Sequence, residues 1–95
     1  QMIFMHHPLF GLDPEEADSH MVLPKIQRSI ILDLLDEYKV KAVFTGHWHE
    51  NNITKYKNTE LITTGPISLS LGDEPSGIRL IEIDGEKLTH EYINL

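Results

Sequence analysis

Cysteine is missing altogether from this chain, which removes disulfide frameworks, thiolate zinc sites and thiol nucleophiles together. Basic residues are scarce too. Eight Lys and Arg stand against fifteen Asp and Glu, a formal charge of −7. Affinity for a phosphate backbone comes mostly from Lys and Arg, so no nucleic-acid partner is expected. A phosphorylated substrate stays open, because bound metal cations reverse the local sign. No apolar run approaches the ~20 residues of a membrane span, and no signal peptide is visible, so no membrane partner is expected. The expected location is the cytoplasm. What is present is an ordinary globular mixture, 40% hydrophobic and 24% charged over 95 residues, enough for one small domain.

The chain opens on Gln1 and passes at once into Met2-Ile3-Phe4-Met5, an apolar run with no turn or cap before it. Such a run reads as a strand covered on both faces and flanked by neighbours, and those neighbours are hard to find in 95 residues. The expectation is the C-terminal portion of a longer protein. A strand over 2–6 is followed by a loop over 7–22, punctuated by Pro8, Gly11, Asp13 and Pro14. The acids Asp13, Glu15, Glu16 and Asp18 of that loop read as a solvated cluster. Pro24 suits a first helical turn. Ile26, Ile30, Leu34 and Tyr38 recur at helical spacing, broadened by Ile31 and Leu35, with Lys25, Arg28, Asp33, Asp36 and Glu37 on other faces. This predicts an amphipathic helix over 24–38, with Lys39 and Lys41 suiting its dipole.

Ala42-Val43-Phe44-Thr45, ended by Gly46, reads as a second buried strand. Strand, helix and strand of these lengths form a βαβ crossover with parallel pairing. Antiparallel signals follow. A hairpin is expected from 53–56 and 61–64 around Lys57-Asn58-Thr59-Glu60, then a short strand over 67–71 and a loop over 72–77. A second hairpin, from 78–83 and 88–93, brackets Asp84-Gly85.

Two histidine groups each end a predicted strand: His6-His7 after the first, and His47 and His49 in Gly46-His47-Trp48-His49 after the second. The crossover brings both groups to one sheet edge, the edge at which open α/β sheets bind ligands, across 41 positions of sequence. Neutral imidazole is the commonest transition-metal ligand. On extended backbone His47 and His49 would point the same way, about 6–7 Å apart at Cα, a separation suiting one shared ion or two neighbouring ones. Turn capping by these imidazoles is the plainer reading, and the combined placement favours metal. Side chains alternate along a strand, so His6 is preferred as ligand, and His7 is assigned a substrate contact, a supporting role or simple solvation. Trp48 is expected to pack its loop, His90 to be a half-buried structural residue, His20 to be solvated, and Asn51 and Asn52 to serve the turn.

With those residues in place, the chain resembles the calcineurin-like metallophosphoesterases. Of that family's motifs, Asp-x-His, Gly-Asp-x-x-Asp and Gly-Asn-His-Asp/Glu are absent here. The lone strand-end His (Phe4-Met5-His6-His7-Pro8) and Gly-His-x-His (Gly46-His47-Trp48-His49) are present. The likeness extends to the calcineurin-like phosphoesterase domain-containing phosphatases through His6-His7-Pro8-Leu9-Phe10, Leu23-Pro24-Lys25, Val43 to Asn51, Gly77-Ile78-Arg79-Leu80 and His90-Glu91-Tyr92. The resemblance implies an α/β fold, residues 1–95 supplying the C-terminal half of a four-layer α/β/β/α sandwich as βαβ followed by antiparallel strands. It implies phosphoester hydrolysis at a dinuclear centre of Zn, Fe or Mn, with His6 and His47 on one ion and His49 on the other. The implied partners are a phosphoprotein or small phosphoester substrate and the N-terminal half of the same domain. Three imidazoles cannot hold two such ions alone, so the isolated chain is expected to be inactive. A degenerate half acting as a non-catalytic binding module is the alternative.

Overall fold

The computed structural model describes residues 1–67 and 75–95. Strands β1 (Met2–Phe4), β2 (Ala42–Thr45), β3 (Asn52–Tyr56) and β4 (Thr59–Thr63) form one sheet in the order β1-β2-β4-β3. The helix α1 (Lys25–Glu37) joins β1 to β2, which pair in parallel, as a βαβ crossover requires. β4 is parallel to β2 and antiparallel to β3. The strands β5 (Gly77–Asp84) and β6 (Lys87–Asn94) form a separate antiparallel hairpin, turning at Gly85, whose φ of 61° is of the kind a two-residue turn demands.

Alternation along β2 and β4 explains the layers. Val43 and Leu61 face Leu32 and Leu35 of α1, together with Leu9, Phe10 and Val40. Ala42, Phe44 and Ile62 face the other way, where Ile81 and Leu88 of the hairpin pack on them. β2 is therefore buried on both faces, the reason it reads as an unbroken apolar run. Helix, four-stranded sheet and hairpin make a mixed α/β arrangement of parallel and antiparallel strands. Among the described residues no helix is long and apolar enough to cross a membrane.

Four expectations need correction. The first strand ends at Phe4 rather than at residue 6, because the chain bends at His6 and His7. The first hairpin turns on Lys57 and Asn58 alone: Glu60 pairs with Lys55, and the buried Thr59 donates its hydroxyl to the Val40 carbonyl at 2.6 Å. The helix faces the core by a different stripe from the one its isoleucines mark. Ile26, Ile30, Leu34 and Tyr38 are 76, 57, 44 and 64% exposed, whereas Arg28, Leu32 and Leu35, at i, i+4 and i+7, are buried. Finally, the acidic loop is wired to backbone. Glu16 Oε1 accepts from the amides of Gly11, Leu12 and Asp13 at 3.0, 2.9 and 3.1 Å, and Asp18 Oδ1 accepts from the first helical amide, Lys25, at 2.7 Å. Of the strand expected over 67–71 and the loop over 72–77, residues 68–74 lie outside the described residues.

Candidate metal centre

The parallel ladder between β1 and β2 runs on past both strands. Met5 donates to the Phe44 carbonyl and Gly46 to the His6 carbonyl, each at 3.0 Å. These two bonds bring the ends of the strands, and the histidines that follow, side by side. The regular strand has ended by then, so alternation no longer separates successive side chains and both His6 and His7 turn toward His47.

His47 is held in an uncommon conformation. Its φ is 71°, and Trp48 N–H bonds the Gly46 carbonyl across it at 2.8 Å, the pattern of a three-residue turn of the strained hand. His49 also has positive φ, 60°. Two left-handed non-glycine residues within three positions require surroundings that hold them there, and such strain gathers at functional sites. The extended backbone expected over 47–49 is thus replaced by a bend.

Ring geometry follows from these turns. His6 Nε2 lies 3.1 Å from His47 Nδ1. The His7 ring lies 4.2 Å from the His47 ring and 4.8 Å from that of His6, centroid to centroid. One nitrogen from each of His6, His7 and His47 falls within 4.8 Å of the others. His47 Nε2 is 3.0 Å from the His20 carbonyl, which can only accept, so Nε2 carries the proton. In neutral His47 the lone pair then sits on Nδ1, facing His6. Desolvation, then the charges of His47 and His6, hold the His7 imidazole below its ordinary pKa, which favours its neutral form.

These donors fit a transition metal. Two ligand nitrogens on one tetrahedral ion with bonds of about 2.1 Å stand about 3.4 Å apart, close to the His6–His47 spacing. A carbonyl on the remote ring nitrogen is the usual means of orienting a ligating imidazole. Among the described residues no carboxylate joins the group, so the set they offer is incomplete for two ions.

His49 is exposed and does not belong to the group. Trp48 packs its loop, donating Nε1–H to the Met21 carbonyl at 2.6 Å and lying against Gly11, where an added Cβ would sit 3.1 Å from the indole. His90 is structural, set between Glu60 at 3.6 Å and Arg79 at 3.2 Å with its ring edge toward Phe44. Asn51, expected to serve the turn, instead ties remote segments together, its Oδ1 accepting from the Gly65 amide at 3.0 Å and from Arg79 at 2.8 Å, while Asn52 opens β3. His20 contributes its carbonyl, a role that no side-chain reading reveals. A surface cavity of about 440 Å³, lined by Lys39, Lys41, Lys55 and Glu60, lies at the opposite end of β2 and is unconnected with the histidines. Sequence reasoning missed Arg28. Its spacing with Leu32 and Leu35 was the available signal.

No protein-family model matches the chain. Curated relatives do. The chain is 36% identical over 94 residues to the serine/threonine-protein phosphatase CPPED1 of Bos taurus, 33% identical over 94 residues to that of Mus musculus, and 34% identical over 96 residues to that of Homo sapiens. Each match covers 99% of this chain and 30% of the relative, so the chain spans just under a third of the length of the proteins it matches. A likeness that runs from the strand-end histidines through Gly46-His47-Trp48-His49 to the last hairpin makes this chain a member of the calcineurin-like phosphoesterase domain-containing family.

Proposed function

We propose that residues 1–95 form part of a calcineurin-like metallophosphoesterase domain that, in the complete protein, hydrolyses phosphoesters. The observation that carries this reading is the meeting of His6, His7 and His47 where β1 and β2 end. In it, His6 and His47 hold one ion through Nε2 and Nδ1, and His49 holds a neighbouring one. His7, beside both rings, contacts a phosphoryl oxygen of the substrate. Two ions, of Zn, Fe or Mn, take their remaining ligands from the rest of the domain; imidazole donors do not discriminate among these metals. Such ions, when bound, supply Lewis-acid polarisation of the phosphoryl oxygens and an acidified water. The imidazoles do not attack. They hold position, with the His20 carbonyl keeping the His47 proton on Nε2.

The relatives' name favours a serine/threonine phosphoprotein as substrate over a small phosphoester. The full fold would be the four-layer α/β/β/α sandwich, with α1, the four-stranded sheet and the β5–β6 hairpin giving three layers and the N-terminal half of the domain completing it. Apolar surface supports this: Phe4, on the edge strand, is 64% exposed.

Elemental analysis and a phosphoserine-peptide assay on the complete protein test the reading. About two ions per chain are expected. His47→Ala should lower turnover by orders of magnitude while circular dichroism is unchanged. Near-normal turnover in both His47→Ala and His49→Ala would remove these residues from the site. Absence of metal would favour the non-catalytic binding module.

A further inference from the structure

Arg28 is the largest fully buried side chain among the described residues. A buried guanidinium needs partners for five N–H groups, and four bonds account for four of them. Nε and one Nη2 proton reach the Leu23 carbonyl at 3.3 and 3.0 Å, and Nη1 reaches the carbonyls of Pro14 and Glu16 at 2.9 and 2.8 Å. Nη2 also lies 4.0 Å from Asp18 Oδ1. One planar fork thus gathers three backbone carbonyls spread over ten positions of the loop. Within that loop lie the two carbonyls that face the Gly46-His47-Trp48-His49 turn. His20 receives His47 Nε2–H, and Met21 receives Trp48 Nε1–H. The loop is also tied back beside His7, where Leu23 N–H donates to the Pro8 carbonyl at 3.0 Å.

We infer that Arg28 is a positioning residue of the imidazole cluster: by clamping the 14–23 loop from within, it sets the His20 carbonyl that fixes which nitrogen of His47 is free to bind a metal. The inference rests on the proposed metal site for its consequence, though not for its geometry. Lysine cannot replace the fork, because a single ammonium has no fixed planar array of donors to span three carbonyls. Orienting partners of a ligating imidazole are commonly worth about 10–100-fold in metal affinity.

The experiment uses the complete protein with Arg28→Lys and Arg28→Met, the second filling the space without a buried charge. Leu35→Ala is the control, a buried core residue of the same helix whose side chain bonds none of the loop carbonyls that Arg28 gathers. Nitrogen-15 spectra of the metal-free imidazoles, at a pH where His47 is neutral, are expected to show it as the Nε2–H tautomer. Either Arg28 variant should give a mixture of tautomers and weaken Zn binding about 10–100-fold. Leu35→Ala should lower stability yet leave tautomer and Zn affinity as they were. An unmixed Nε2–H tautomer in a folded Arg28 variant overturns the inference. So does failure of both Arg28 variants to fold while Leu35→Ala folds, since Arg28 would then serve folding alone. If the native protein binds none of Zn, Fe or Mn, the proposed function fails, and the tautomer comparison still decides the role of Arg28.

Discussion

At the residue scale, Glu16 shows how a surface acid becomes part of the scaffold. Desolvation raises its pKa, but the amides of Leu12, Asp13 and Gly11, with Arg28 nearby, outweigh this and hold the carboxyl below its ordinary value of 4.5. A carboxylate whose pKa is lower folded than unfolded stabilises the fold above the ordinary value. That contribution is lost as pH falls through the folded value. Denaturant titrations should therefore find Glu16→Gln less stable than the wild type by about 1 kcal/mol at pH 7, with the gap closing below pH 4.5. Parallel curves across that range would exclude a stabilising charge at Glu16. Nothing in the string Asp13-Pro14-Glu15-Glu16 announces this role, because the three amides are gathered by a loop turn that the composition leaves open. The histidines were more legible: a residue type with few common uses, twice at a strand end, narrows the chemistry before any coordinate is known.

At the scale of elements, α1 illustrates both success and error. Its existence follows from periodicity, but its orientation does not. Six apolar residues offer two overlapping stripes, and the sheet selects the one containing Leu32 and Leu35 because Arg28, on that side, reaches the loop carbonyls. Replacing Leu35 by Ala should cost about 2–5 kcal/mol, read from the denaturation midpoint, as for other fully buried leucines. The helix ends without glycine. Lys39 has φ of 51°, Val40 N–H returns to the Leu35 carbonyl at 3.0 Å, and Lys39 N–H to that of Asp36 at 3.3 Å. This is a Schellman ending with a lysine where glycine is favoured, and Val40 packs near Leu35 as that motif prefers. Lys39→Gly should raise the melting temperature, equivalent to a gain of up to about 1 kcal/mol, because relief of the left-handed strain exceeds the added unfolded-chain entropy. An unchanged or lower melting temperature would show that Lys39 is not strained.

At the scale of the whole molecule, the described residues form a slab of 36 × 36 × 16 Å with β1 at one edge of its sheet. Phe4 on that edge stacks on Phe44 with centroids 5.2 Å apart, yet remains largely exposed. In the complete protein Phe4→Ala is expected to cost about 3 kcal/mol, the loss typical of an enclosed aromatic ring, because the proposed sandwich covers this edge. A loss below about 1 kcal/mol in chemical denaturation would leave Phe4 facing solvent and count against the four-layer arrangement.

Periodicity and residue type by themselves determined the βαβ unit, both hairpins and the strand-end histidines, since each depends on neighbours close in sequence. The tertiary structure decided the rest: which helical stripe is buried, which rings meet and which carbonyl orients His47. Those outcomes turn on contacts between segments remote in sequence, such as Arg28 with the 14–23 loop and His20 with His47, whose geometry exists only after the chain has closed on itself.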